Sequence, residues 1–132
     1  MSISSLNTQK LFNYLYLFIV IIFSFTINWN YAKLGVFPMD TFLHYDSGYK
    51  ILNGELPIRD YWIVSGLFVD FLQAFFFQIF GINWYAYIIH SSLLNLAISV
   101  LTFQILIKLK LKSIFAFFYT IRFLAFNFNK VD

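Results

Sequence analysis

Residues 38–62 read PMDTFLHYDSGYKILNGELPIRDYW, and this stretch decides how the rest of the chain is understood. It is polar and patterned where its surroundings are apolar. It holds Asp40, Asp46, Glu55 and Asp60, four of the six acidic residues, and His44 besides. Between Thr41 and Asn53, Phe42, Tyr45, Tyr49 and Leu52 recur at steps of three and four, so they share one helical face. Asp40, His44 and Ser47 recur at the same steps on another. Asp40 or Thr41 supplies an N-cap after Pro38. Asn53-Gly54 supplies the stop, because glycine accepts the left-handed backbone there, and Pro57 reinforces the break. The spacing predicts a short amphipathic helix near 41–53 lying along a membrane surface.

The segments on either side explain why a membrane is invoked. Lys10 precedes a run from Leu11 to Ile27 that contains Asn13 but no charge, and Trp29 and Tyr31 extend it. About 20 mostly apolar residues cross a bilayer, and the two aromatics suit an interfacial belt. A cleaved signal peptide is the rival reading. The run is long for one and lacks a small-x-small cleavage site, which favours an uncleaved anchor. A second span opens at Trp84, Tyr85 and Tyr87 and closes at Lys108, Lys110 and Lys112. Between the spans, residues 65–80 are rich in Phe and Leu but include Asp70, Gln73 and Gln78. Placed across a bilayer, Asp70 would cost about 2.5–3.5 kcal/mol. An interfacial helix avoids that cost, with Asp70 and Gln73 as its polar edge; a site residue is the alternative reading of Asp70. Gly81-Ile82-Asn83 then turns the chain. The final run, Ser113 to Phe126, is short and carries Arg122, so the number of spans is two or three.

Composition agrees. Hydrophobic residues are 61% and charged residues 11%, against roughly 45–50% and 25% in soluble domains. With no cysteine, disulfides and thiolate metal sites are excluded. The basic balance does not indicate nucleic acid, because most lysines sit at the ends of apolar runs instead of forming one solvated face. Those lysines set the topology, since cations flanking spans stay cytoplasmic. Lys10 and the Lys108–Lys112 cluster share a side if two spans separate them; Lys33 counts mildly against this. The expected organisation is an all-α membrane protein: a cytoplasmic N-terminus (1–10), a transmembrane helix (11–29), and a large outer loop (30–83) with two interfacial amphipathic helices. A second transmembrane helix (84–107), a cytoplasmic basic turn (108–112), a truncated third apolar run (113–126) and a tail (127–132) follow. The location is the cytoplasmic membrane.

The loop carries a further pattern: Asp40, then Ile51-Leu52-Asn53-Gly54, Pro57, Arg59-Asp60-Tyr61-Trp62, Gly66 and Phe80-Gly81, with a span starting near Trp84. In this order they resemble the first outer loop of the GT-C superfamily of integral-membrane glycosyltransferases. The likeness is to the bacterial branch with protein mannosyltransferase-like and aminoarabinose-transferase-like enzymes. It covers about Leu11 to Leu109, which corresponds to only the N-terminal part of a family enzyme. Leu67 departs from the pattern, where the family often has Pro, and so does Thr41, where many members have a second acid. The resemblance implies sugar transfer from a polyprenyl-phosphate donor to an acceptor on the outer face of the membrane.

Such a reaction needs a carboxylate for the acceptor hydroxyl and donors for the leaving phosphate. Asp40 matches the family's acidic position and is the expected catalytic residue; as a simple helix cap it would look the same. His44, one turn on, is a candidate for phosphate or metal binding, against the plainer reading of an interfacial histidine. Arg59, Asp60, Tyr61 and Trp62 are candidates for acceptor binding, though Arg59 and Asp60 equally suit a local ion pair. A divalent metal ion is the only cofactor in view, and one loop histidine among scattered carboxylates is a weak signal for it. His90, Ser91, Ser92 and Asn95 read as polar glue between helices. The expected partners are the bilayer, the lipid-linked sugar donor and other membrane helices. The competing expectations are a small non-enzymatic membrane scaffold and an inactive truncated remnant.

Overall fold

A computed structural model of the chain describes residues 3–34, 40–63 and 66–128; the side chains of residues 3–7, 40, 41 and 125–128 lie outside that description. Among the described residues the chain is helical and has no strand. The elements are α1 (Ile3–Ala32), α2 (Asp40–Leu52), α3 (Leu67–Phe80), α4 (Trp84–Lys108) and α5 (Ser113–Phe128). Two stretches, Thr8–Ala32 and Trp84–Lys108, are long and apolar enough to cross a membrane. At 25 residues each, they rise ~37 Å, against a hydrocarbon layer of about 30 Å. Only 11% of the first apolar window and 28% of the second is buried within the protein. The 14 residues of α3 and the 16 of α5 rise ~21 and ~24 Å and fall short of that thickness.

The chain divides into two compact units, and the divisions fall inside α1 and α4. The first comprises Met1–Ile27 and Leu93–Asp132. Its core is Val20, Phe103 and Ala116, one from each of three helices, with Tyr16, Leu17, Leu106 and Phe117 packed around them. Polar side chains register these helices. Ser24 and Ser99 are both fully buried, with hydroxyls 3.0 Å apart. Ser99 gives its only proton to the Asn95 carbonyl, 2.6 Å away, so Ser24 is the donor between them. The Ser113 hydroxyl donates to Asn13. After α4 the chain turns through Lys110, whose φ is 62°. Its N–H bonds the Ile107 carbonyl and the N–H of Leu111 bonds that of Leu106, the paired closure usually given to glycine.

The second unit, Asn28–Ser92, holds the end of α1, all of α2 and α3, and the start of α4. Asn28 donates to Ser91 and Ser92 at 3.2 and 3.1 Å. The Trp84 indole N–H donates to the Ala32 carbonyl at 3.1 Å. Asn83 serves two helices: its amide N–H bonds the last carbonyl of α3 at 2.7 Å, and its oxygen accepts the Ala86 N–H at the start of α4. Helix α2 ends as its sequence requires. Gly54 sits at φ 86°, and the Glu55 N–H reaches back to the Lys50 carbonyl at 3.1 Å.

Candidate functional site

Helices α2 and α3 pack on each other, but with their polar faces inward. On α2 the buried residues are Ser47 and Gly48. The expected apolar face points the other way: Phe42 is 58% exposed and Tyr49 47%. Only Tyr45 turns back, with its ring 4.8 Å from Phe77 and 6.3 Å from Trp84. On α3 the buried residues are Asp70, Gln73, Ala74 and Phe77, spaced at three, four and seven, while Phe68, Phe71, Phe75 and Ile79 are exposed. The expectation that Asp70 and Gln73 form a polar outer edge is therefore corrected, because they form the inner seam. Gly48 makes the seam possible. A β-carbon there would lie 2.7 Å from Cγ of Gln73 and 3.2 Å from the Phe77 ring.

Within the seam, His44 Nδ1 lies 2.8 Å from Asp70 Oδ1, with Asp70 1% exposed and His44 21%. This bond holds the His44 ring in one orientation. One turn along α3, the Gln73 carbonyl oxygen accepts from His90 Nδ1 at 2.6 Å. The His90 ring stacks on Phe76, with centroids 5.3 Å apart. Asp70 Oδ2, Gln73 Nε2 and His90 Nε2 are buried without a hydrogen-bond partner. Two side chains of α3 and one of α4 thus each keep one buried polar atom unsatisfied. Such groups carry a desolvation cost of about 1–3 kcal/mol each.

The other expected site residues divide into three groups. Asp40 opens α2, and its side chain lies outside the described residues. Arg59 and Asp60 bind each other through two bonds of 2.8 and 2.6 Å. The second Asp60 oxygen also accepts the Leu56 N–H at 2.7 Å, and the Asp60 N–H closes on the Leu56 carbonyl. The Arg59 guanidinium, and after it the Leu56 N–H, holds the Asp60 carboxyl down at about 2. These two residues therefore build their own turn. That turn forces Ile58, a β-branched residue, to φ 74°, a conformation that costs about 1–3 kcal/mol. Tyr61 folds back on α2. Its hydroxyl faces the Ser47 carbonyl at 3.4 Å and Lys50 sits 5.0 Å over its ring. Burial first, then the Asp70 charge, push its phenol up from the ordinary value. Trp62 is 87% exposed.

Gln73 stands outside the expected site, Asp70 enters it only as the alternative to a polar edge, and His90 as glue between helices accords with its bond to Gln73. The available signal was the spacing of Asp70, Gln73 and Phe77, which places all three on one face. Among the described residues no three His, Asp or Glu side chains gather as metal ligands would. Comparison with protein-family models, with curated proteins and with solved structures finds no match to this chain.

Proposed function

We propose that the chain is the N-terminal part of an integral-membrane glycosyltransferase, with α1 and α4 crossing the cytoplasmic membrane and α2 and α3 lying on its outer surface. The donor is a sugar on a polyprenyl phosphate. The acceptor hydroxyl attacks the anomeric carbon, the bond from that carbon to the phosphate oxygen breaks, and the lipid phosphate leaves. In this reading Asp40 takes the hydroxyl proton, and His44, held by Asp70, binds the leaving phosphate in its imidazolium form. The observation that carries this reading is the inside-out packing of α2 and α3. A pair that buries Asp70 and Gln73, holds His44 against them, and turns Phe42, Phe68, Phe71 and Phe75 outward suits an apolar surrounding, where the polar seam is the interior.

Charge distribution supports the placement. The unit of Met1–Ile27 and Leu93–Asp132 contains six Lys or Arg and one acidic residue, whereas Asn28–Ser92 contains three and five. The positive-inside tendency favours a cytoplasmic location for the helix ends that carry Lys10 and Lys108 to Lys112. The Asn13–Ser113 bond keeps the Lys10 end of α1 near the Lys112 end of α5, as two crossings require. The scaffold reading draws on a different observation, the Asn28–Ser91, Asn28–Ser92 and Gln73–His90 bonds that fasten helices together.

The test compares Asp40→Asn and His44→Gln with the parent in membrane vesicles, measuring transfer of labelled sugar from a polyprenyl-phosphate donor. Loss of transfer with unchanged membrane insertion is expected. Transfer unaffected by both substitutions, or absent from the parent chain together with whatever follows it in its gene, leaves the scaffold reading.

A further inference from the structure

The unit of Met1–Ile27 and Leu93–Asp132 contains an open groove of about 630 Å³ where the start of α1 meets the start of α5. Its floor and walls are mostly apolar, from Phe12, Tyr16 and Ile114, and its polar groups are Thr8, Gln9, Lys112 and Ser113. We propose that this groove binds one anionic phospholipid, with the phosphate at Lys112 and the glycerol and upper acyl chain along Phe12, Tyr16 and Ile114. The inference rests on the membrane part of the reading above and is independent of sugar transfer.

Charge and shape together point to that occupant. Lys112 lines the groove, Lys110 precedes it by two residues in the turn, and Lys10 follows Gln9 on α1. The sole acidic residue of the whole unit is Asp132, outside the described residues. Among the described residues of this unit Lys112 has no carboxylate partner, and an ammonium beside the Gln9 amide suits a phosphate diester. An aromatic and aliphatic lining would be poor for a free, fully hydrated anion and good for the first methylenes of a lipid. The Ser113 hydroxyl is already committed to Asn13, which fixes the wall of the groove before any ligand arrives. A second groove, lined by Asn13, Tyr14, Leu17, Phe103, Gln104 and Lys108, adjoins that same bond, but at about 240 Å³ it is too small for a glycerol and the upper part of an acyl chain together.

The experiment places the full chain in nanodiscs of phosphatidylcholine containing a minor share of phosphatidylglycerol, extracts it gently, and counts retained lipids by native mass spectrometry. Retention of one phosphatidylglycerol in preference to phosphatidylcholine is expected. Lys112→Gln should reduce that preference about fivefold, the effect of one surface lysine on an anionic headgroup, and Lys112→Arg should keep it. Ile114→Trp, which fills the groove without changing charge, should also abolish it, whereas Lys33→Gln, in the other unit, should not. Equal loss in Lys33→Gln, or normal retention in Ile114→Trp, would reduce the effect to general surface charge and overturn the groove. Displacement of the lipid by millimolar inorganic phosphate would make this a free-phosphate site and also overturn the proposal. Failure of the chain to enter the discs at all would instead refute the membrane reading on which the proposal stands.

Discussion

Replacing Gly48 with alanine separates a helix lying alone on a surface from a helix packed through its polar seam. Gly48 lies inside α2. On a free helix, Gly→Ala is stabilising by about 0.8–1 kcal/mol, because alanine loses less backbone entropy. Here the new methyl would meet Gln73 Cγ at 2.7 Å and the Phe77 ring at 3.2 Å. Gln73 cannot easily yield, since its amide oxygen is held by His90 at 2.6 Å. Overpacking of this kind costs about 1–3 kcal/mol, and releasing Gln73 instead leaves buried polar groups at a similar cost. The difference is a net loss of about 1 kcal/mol. The assay is reversible unfolding in mixed micelles, followed by circular dichroism, of Gly48→Ala beside the parent. The His44–Asp70 bond should loosen with the seam, so ring proton shifts of His44 should move as well. A Gly48→Ala protein as stable as the parent, or more stable, refutes the packed seam and restores the solitary surface helix.

Three further outcomes are expected. Asp60 has its carboxyl lowered from 3.8 to about 2 by Arg59 and the Leu56 N–H. A carboxyl depressed in the folded state stabilises above its unfolded value and ceases to as pH falls through the folded one. Hydrogen-exchange protection of the Leu56 amide should thus hold down to about pH 4 and decline toward pH 2; a decline near pH 6 would contradict the cradle. Ile58→Gly should stabilise the turn by about 0.5–1 kcal/mol, the left-handed strain relieved less the entropy of glycine, seen as slower proteolysis of the loop. Trp62→Cys, the sole thiol in a cysteine-free chain, should react with an impermeant reagent added outside intact cells, and protection would sink the outer placement.

Much of the helical plan was legible in local chemistry. Asn53-Gly54 and Gly81 mark helix ends because few residues tolerate positive φ, and both glycines have it. Trp84 and Lys108 bound α4 because aromatic and basic residues both collect at the ends of an apolar run. The orientation of α2 and α3 was not legible. An amphipathic pattern gives two faces but not which of them meets a neighbour, so a polar edge at Asp70 and Gln73 reads the same whether it is turned to solvent or to α2. Pairing His44 with Asp70 depends on a contact 26 residues apart, and Gln73 with His90 on one 17 apart, which no periodicity reports. Arg59 and Asp60 were legible as neighbours, yet the turn they close depends on the backbone of Leu56, which side-chain types do not reveal.

The Ser24–Ser99 bond joins partners 75 residues apart in the chain. If α1 and α4 cross a bilayer as proposed, α1 enters long before Ser99 has been translated. Its lone hydroxyl can wait by bonding a carbonyl one turn back in its own helix, as serine commonly does in apolar helices. Arrival of α4 then exchanges one satisfied bond for another, so association gains little energy from this pair and loses little if reversed. What the exchange supplies is alignment: sliding α4 by one residue rotates Ser99 by about 100° away from Ser24. The pair therefore acts as a detent that selects one rotational setting after insertion, and early α1 can stand in the membrane as an ordinary single anchor until its partner emerges.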